Sequence, residues 1–235
     1  MKLSVIVPVY NEQDTIGSMM DKLCSLKIPI EMEIIVVHSW SKDGTGLILE
    51  RYRDRSKIIT QTYPMGKGNA VRRGLLEATG DIILIQDADL EYNIEDYRKL
   101  IAPIVSGHTS FVLGSRHTSN GVVRQFDSNP VMASIMNFGH RVFAFLVNKL
   151  FGSDIKDPFT MFKVFRAECI KGAKFRCDRF DFDFELVITM LKRGYIPIEI
   201  PVSYKSRCFK EGKKVNIWWD PWLWLWVIIR MKLTK

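Results

Sequence analysis

The sequence predicts an α/β domain with a doubly wound, mostly parallel sheet. Two observations predict it. Short runs rich in Val and Ile alternate with helical segments through the first half of the chain, the order that builds parallel sheets through crossover helices. Polar residues then follow several of those runs at the same end, the edge where such sheets bind ligands.

The elements follow in order. "LSVIVPVY" (3–10) reads as a buried strand, and Asn11 as the N-cap of a helix reaching about Leu26. "EIIVVHS" (33–39) is a second strand, with a helix after Asp43-Gly44, and "KIITQT" (57–62) a third. Gly66-Lys67-Gly68 opens a helix to Ala78. "DIILIQ" (81–86) is a fourth strand, "IEDYRKLIAPIV" (94–105) a helix and "SFVLGSR" (110–116) a fifth strand. "MASIMNFGHRVFAFLVNKLFG" (132–152) is a further apolar helix, suited to the core or to a lipid-facing groove.

The chain has 235 residues and no linker, repeat or low-complexity run, so residues 1–215 are expected to form one domain, followed by an aromatic-rich segment over 216–235. The net charge of +8 suits polyanionic partners or a solvated basic surface, without choosing between them. No basic-aromatic motif or recognised module points to nucleic acid. Cys24, Cys169, Cys177 and Cys208 have no metal-ligand spacing and are expected as free thiols in a reducing compartment. The N-terminus lacks the long apolar region of a signal peptide, and no segment has the roughly 18–20 apolar residues that span a bilayer.

The stretch "ILIQDADLEY" (83–92) ends an apolar strand with Asp87, Asp89 and Glu91. An unpaired carboxylate in a core costs several kcal/mol. Mg2+ and Mn2+ favour such oxygens and often bridge one or two carboxylates to a substrate diphosphate. The three acids fit that task if the chain stays extended; alone, a strand-end Asp also fits a capped turn. "YPMGKGNAVRRG" (63–74) places Lys67 between glycines at a helix start, where free N–H groups attract phosphate. It matches neither a Walker A loop nor G-x-G-x-x-G, and a plain glycine turn also explains it.

Taken together, "VIVPVYNE", "DGT", "GKGNAVRRGL", "GDIILIQDADLEY" and "LGSR" come in the order seen in glycosyltransferase family 2. "KDPFTMFKVFR", "FDFDFELV" and "YIPIEIPVSYKSR" resemble its dolichol-phosphate mannose synthase-like, polyprenyl-phosphate branch. The resemblance spans about residues 3 to 215. It implies a GT-A fold, a Rossmann-like sheet whose D-x-D acids hold Mg2+ or Mn2+. It further implies transfer of a sugar, with inversion, from a UDP- or GDP-linked donor.

By that resemblance Pro8, Tyr10, Asn11, Glu12 and Ser39 border the nucleotide, and Lys67 and Gly68 lie near base or ribose. Asp87 and Asp89 contact ribose, diphosphate and metal, with Glu91 a third ligand. Arg116 faces the acceptor phosphate, and Arg207 and Lys213 close over the diphosphate. The acceptor is expected to be a polyprenyl phosphate, with the saccharide hydroxyl of a surface polymer as the alternative. A hydroxyl needs a general base within hydrogen-bond reach. Asp183, in "DRFDFDFE" (178–185), is the candidate, although the same pattern fits a half-buried strand or an acidic helix N-terminus.

One block departs from the family. Where relatives read V-D-D-G-S-x-D-G-T, this chain reads "VHSWSKDGT", so His38, Ser39 and Trp40 stand at the first acids and glycine. An acceptor-only carboxylate gives way to groups that can donate. A nucleotide-binding relative without turnover is therefore a further alternative. The C-terminal "NIWWDPWLWLWVIIRMKLTK" (216–235) suits a segment lying on an anionic membrane, a packed terminal helix or a partner contact. The expected location is cytoplasmic, peripheral at the inner face of a membrane.

Overall fold

A computed structural model of the chain describes residues 1–116, 130–205 and 219–234. The elements run β1 (Lys2–Val9), α1 (Ile16–Ser25), β2 (Glu31–Ser39), α2 (Thr45–Leu49), β3 (Lys57–Gln61), α3 (Lys67–Glu77) and β4 (Ile82–Ile85). They continue with α4 (Tyr97–Val105), β5 (Phe111–Ser115), α5 (Pro130–Phe151), β6 (Lys163–Arg166), α6 (Phe182–Lys192), β7 (Ile198–Pro201) and α7 (Asp220–Leu233).

Among the described residues the strands form one seven-stranded sheet in the order β3-β2-β1-β4-β6-β5-β7. β1, β2, β3 and β4 pair in parallel, as do β5 and β7; β6 runs antiparallel between β4 and β5. Neither β6 nor β7 is foreseen in the sequence. Each has four residues, as β4 does, but KVFR and IEIP are bounded or interrupted by charged side chains and lack the unbroken apolar run that marks β4.

β1 and β4 lie at the centre and are apolar on both faces, as parallel strands covered by helices must be. Val5, Ile6, Val7, Leu84 and Ile85 are fully buried. α1 adds Ile16, Met19, Met20 and Leu23, a stripe at helical spacing; each such side chain contributes about 1.5–3 kcal/mol over its exposed state.

α1 starts later than expected. Asn11 is not its cap: its backbone is left-handed (φ 47°), which Asn tolerates, and its Oδ1 accepts from the Lys42 N–H at 2.9 Å. The Glu12 carbonyl instead receives the N–H groups of Thr15 and Ile16.

α7 packs against α5 and α6. Its Val227 and Ile228 join the core, while Trp222, Trp226 and Leu233 face outward. No helix among the described residues is long and apolar enough to cross a membrane.

Candidate active site

The central strands part at their carboxyl ends. The β1–β4 ladder stops at Ile6–Ile85, with Gln86 N–H donating to the Ile6 carbonyl at 2.9 Å. Pro8 stands past that last rung, so its missing N–H removes no bond to β4. Here the strand order reverses, the place where doubly wound sheets open a ligand crevice. The crevice is a cavity of about 700 Å³.

Gln86 sets the start of the acidic loop. It is buried, accepts from Tyr97 Oη at 2.9 Å and donates to the Asp87 carbonyl at 2.7 Å. The chain then turns and does not stay extended. Leu90 adopts φ 59°, a strained conformation for a branched side chain. Asp89 Oδ1 closes the turn by accepting from Glu91 N–H at 3.1 Å. The turn carries the Glu91 carboxylate to Tyr204 Oη, 2.9 Å away. Asp87, Asp89 and Glu91 all line the cavity.

Lys67 comes from the start of α3. Its ammonium lies 2.8 and 2.9 Å from the two Asp87 oxygens. Burial pushes the Asp87 carboxyl up, Lys67 opposes this, and Asp89 and Asp183 push the same way as burial. For Lys67, burial favours the neutral form, but the attraction of Asp87, Asp183 and Asp89 prevails and its pKa is raised. Gly66, φ 99°, gives α3 its entry. A Cβ there would meet the Asp178 carbonyl oxygen at 2.3 Å, so the position requires glycine.

Asp183 sits in the first turn of α6, which settles "DRFDFDFE" as an acidic helix N-terminus. It lines the cavity and receives the fully buried Lys163 ammonium at 3.0 Å. Burial pulls Lys163 down, against the attraction of Asp183.

Arg116 also lines the cavity. Its Nε and Nη2 reach the two Asp157 oxygens at 2.8 and 2.7 Å, and its guanidinium lies over the Tyr204 ring, 5.2 Å from the centroid. Asp157 is fully buried; burial alone would raise its carboxyl, but Arg116 holds it well below the usual carboxylate range.

Of the residues expected to border the nucleotide, Pro8, Tyr10, Glu12 and Ser39 line the cavity. Two expected nucleotide contacts do not. Asn11 is turned toward Lys42. Gly68 is buried beneath α6, where a Cβ would stand 2.5 Å from Phe182 Cβ and 2.8 Å from the carbonyls of Arg179 and Cys177. Arg207 and Lys213 lie outside the described residues. His38 is not among the residues that line the cavity. Ser41 Oγ donates to the Ser39 carbonyl, so it accepts from His38 Nε2 at 3.1 Å. Burial lowers the His38 pKa. Trp40 is exposed. The sequence alone does not single out Gln86, nor Asp157, Lys163 or Tyr204, whose partners Arg116, Asp183 and Glu91 lie 41, 20 and 113 residues away.

The donor set suits a hard cation. Asp87 and Asp89 offer carboxylate oxygens in a site whose surplus negative charge Lys67 offsets. No group of three or more ligating side chains among the described residues would hold a metal alone. Mg2+ commonly binds one or two carboxylates and completes its shell with water and substrate phosphate.

The glycosyl transferase family 2 model matches residues 4–172. The dolichol-phosphate mannosyltransferase of Pyrococcus furiosus is 29% identical over 220 residues, covering 91% of this chain and 59% of that protein. The human dolichyl-phosphate beta-glucosyltransferase is 30% identical, covering 94% of this chain and 72% of that protein. A Trichomonas vaginalis dolichyl-phosphate beta-glucosyltransferase is spanned over 63% of its length, so the chain covers less than two thirds of some relatives. The crystal structure of glucosyl-3-phosphoglycerate synthase from Mycobacterium tuberculosis, in complex with Mn2+, UDP and glucosyl-3-phosphoglycerate, superposes with a TM-score of 0.72 at 18% identity, covering all of this chain and 81% of that one. That likeness bears on fold alone. With the family model covering most of its length, the chain belongs to glycosyl transferase family 2 and carries its GT-A fold.

Proposed function

We propose that the chain transfers a sugar, with inversion, from a nucleotide diphosphate sugar to a polyprenyl phosphate, with Mg2+ or Mn2+ at Asp87 and Asp89. The observation that carries this reading is the convergence of acids and cations on one cavity at the strand switch point: Asp87, Asp89, Lys67 and Arg116. Relatives named for dolichyl phosphate support the acceptor.

The bound cation would supply charge stabilisation to the departing diphosphate. Lys67, fixed beside Asp87, adds a preorganised positive charge at the same end. Arg116, locked by Asp157, presents a guanidinium of fixed orientation to an acceptor phosphate. A phosphate oxygen is already ionised near neutral pH, so positioning replaces proton removal. Asp183 is paired with Lys163, which favours the phosphate acceptor over a hydroxyl acceptor that requires a base. Met136, Phe143, Phe159 and Trp224 give the cavity an apolar wall suited to a prenyl chain.

A cytoplasmic, peripheral location at a membrane fits the exposed apolar residues of two packed helices. Ile135, Phe138 and Phe145 face outward on α5, as do Trp222, Trp226 and Leu233 on α7. Glu91, expected as a third ligand, is not part of this proposal: the loop turn at Leu90 takes its carboxylate to Tyr204 Oη, and no three-carboxylate group that could hold a metal forms among the described residues. The roles of Arg207 and Lys213 over the diphosphate belong to the same proposal.

The test is transfer of labelled sugar from UDP-glucose or GDP-mannose to a short polyprenyl phosphate in detergent, with Mn2+ or with EDTA. Metal-dependent lipid product, reduced at least about 100-fold in Asp89→Ala, is expected. Transfer to saccharide acceptors alone would replace the lipid assignment. No turnover with either donor, despite metal-dependent nucleotide binding, would favour a binding protein.

A further inference from the structure

Three lysine and arginine side chains line the cavity among the described residues: Lys67, Arg116 and Arg179. Two are committed. Lys67 holds both oxygens of Asp87, and Arg116 holds both oxygens of Asp157. Arg179 is different. Its side chain is 51% exposed, and its Nη2 meets one oxygen of Asp220 at 3.5 Å, longer than an ordinary N–H···O bond. A guanidinium carries five N–H donors in a planar fork that matches two phosphate oxygens at once. One long bond leaves most of that capacity unused.

The segment around Arg179 wraps the start of α3. The Asp178 carbonyl accepts from Asn69 N–H at 3.0 Å. A Cβ on Gly66 would stand 3.4 Å from Arg179 Cγ, so the Arg179 stem lies on the turn that leads into Lys67. The Lys67 ammonium in turn lies over the Phe180 ring, 5.5 Å from its centroid. Arg179 therefore stands beside Lys67, the end of the cavity where the proposed function puts the departing diphosphate. Asp220, its present partner, is fully buried in the first turn of α7, where the helix N-terminus itself favours a negative charge. The other end of α7 has its own anchors. Arg230 reaches buried Glu185 at 2.6 Å, and Lys232 donates to the Leu150 carbonyl at 2.7 Å. A half-exposed pair as long as Arg179–Asp220 adds little to docking of the helix.

We infer that Arg179 is a diphosphate-binding residue held in reserve by Asp220, and that it exchanges this carboxylate for two oxygens of the bound donor diphosphate. This deepens the proposed function and rests on its donor site. The exchange replaces one long bond with a pair of charge-assisted ones. It adds a cation beside Lys67 where negative charge grows on the leaving group.

The experiment is calorimetric titration of the full chain with UDP and GDP, and with farnesyl phosphate, all with Mn2+. In Arg179→Met the nucleotide that binds is expected to lose at least about tenfold in affinity. Asp220→Asn removes the competing anion and should bind that nucleotide at or above the wild-type affinity. A pair that only stapled α7 to α6 would leave affinity unchanged in Arg179→Met or lower it alike in both variants, and either result would overturn the exchange. Arg179→Lys keeps the charge and the partner but not the fork, and should fall between wild type and Arg179→Met. It serves if Asp220→Asn fails to fold: wild-type affinity in Arg179→Lys would overturn the paired contact. A loss confined to farnesyl phosphate would move Arg179 to the acceptor and overturn the diphosphate assignment. No binding of either nucleotide by the wild-type chain would overturn the donor site itself, and this inference with it.

Discussion

The Lys67 ammonium lies 2.8 Å from one oxygen of Asp87 and 2.9 Å from the other. An α3 side chain thus neutralises the acid that ends β4, twenty residues away in sequence. The pair gives the apolar strand's acidic end a counter-charge that belongs to the fold itself. It also ties two sequence blocks, each ambiguous alone, into one electrostatic unit.

Lys67→Met removes that counter-charge and leaves Asp87, Asp89 and Asp183 facing one another. Breaking a largely buried pair costs about 3–5 kcal/mol, and somewhat less here because both side chains keep some solvent access. For a chain of this size that lowers the unfolding midpoint by roughly 5–15 °C, at about 2–4 °C per kcal/mol. Mn2+ without nucleotide should stabilise the variant more than the wild type, since a divalent cation supplies the missing charge. Thermal unfolding with and without Mn2+ measures this. An unchanged metal response would sink the assignment of a cation to Asp87.

Arg116→Met should be costly for the fold in a pH-dependent way. In the wild type the Asp157 pKa is depressed, so its contribution is complete above the ordinary carboxylate pKa of about 4 and is lost as pH falls below it. In the variant, burial acts without the guanidinium and the carboxyl rises. Protonation then relieves the variant as pH falls from 7. The deficit should be about 3–5 kcal/mol at pH 7 and clearly smaller at pH 4.5. Urea denaturation at the two pH values gives both numbers. A deficit that grew on acidification would contradict the buried pair.

Much of the fold is legible in the sequence because β1 to β4 are continuous Val and Ile runs separated by helices. β6 is not, because its KVFR is bounded by charges and its pairing partners, β4 and β5, lie far away in the chain. The site divides likewise. Asp87, Ser39 and Arg116 are legible from their strand ends. Their partners are not: Asp157 stands 41 residues from Arg116, and Gln61 stands 22 from Ser39. Ser39 shows what this conceals. As a residue type it can donate, and only the fold commits its proton to Gln61, 2.9 Å away.

Gly68→Ala separates two roles for the glycine-flanked lysine. The new methyl would press on Phe182 and on two backbone carbonyls, none of which can yield cheaply. Overpacking of this kind costs about 1–3 kcal/mol. The expected result is a lower melting temperature, with diphosphate affinity at 15 °C within about threefold of wild type, since Gly68 does not line the cavity. A large loss of affinity with an unchanged midpoint would return Gly68 to the binding surface.

The tryptophans of α7 should fall into two classes. Trp224 packs edge-on to Phe159 and Phe143, with ring centroids 4.9 and 5.5 Å away, and lines the cavity. Trp222 and Trp226 are 70% and 61% exposed. Trp224→Ala should cost about 2–4 kcal/mol by opening a void among these rings. The double variant Trp222→Ala, Trp226→Ala should leave stability within about 0.5 kcal/mol, because exposed side chains contribute little to the folded state. Binding to vesicles containing anionic lipid should respond in the opposite order, since interfacial indoles add affinity where they meet the headgroups. Vesicle sedimentation and urea denaturation on the same variants make the comparison. Loss of vesicle binding in Trp224→Ala alone, while folded, would move the contact from the exposed face of α7 to the cavity mouth.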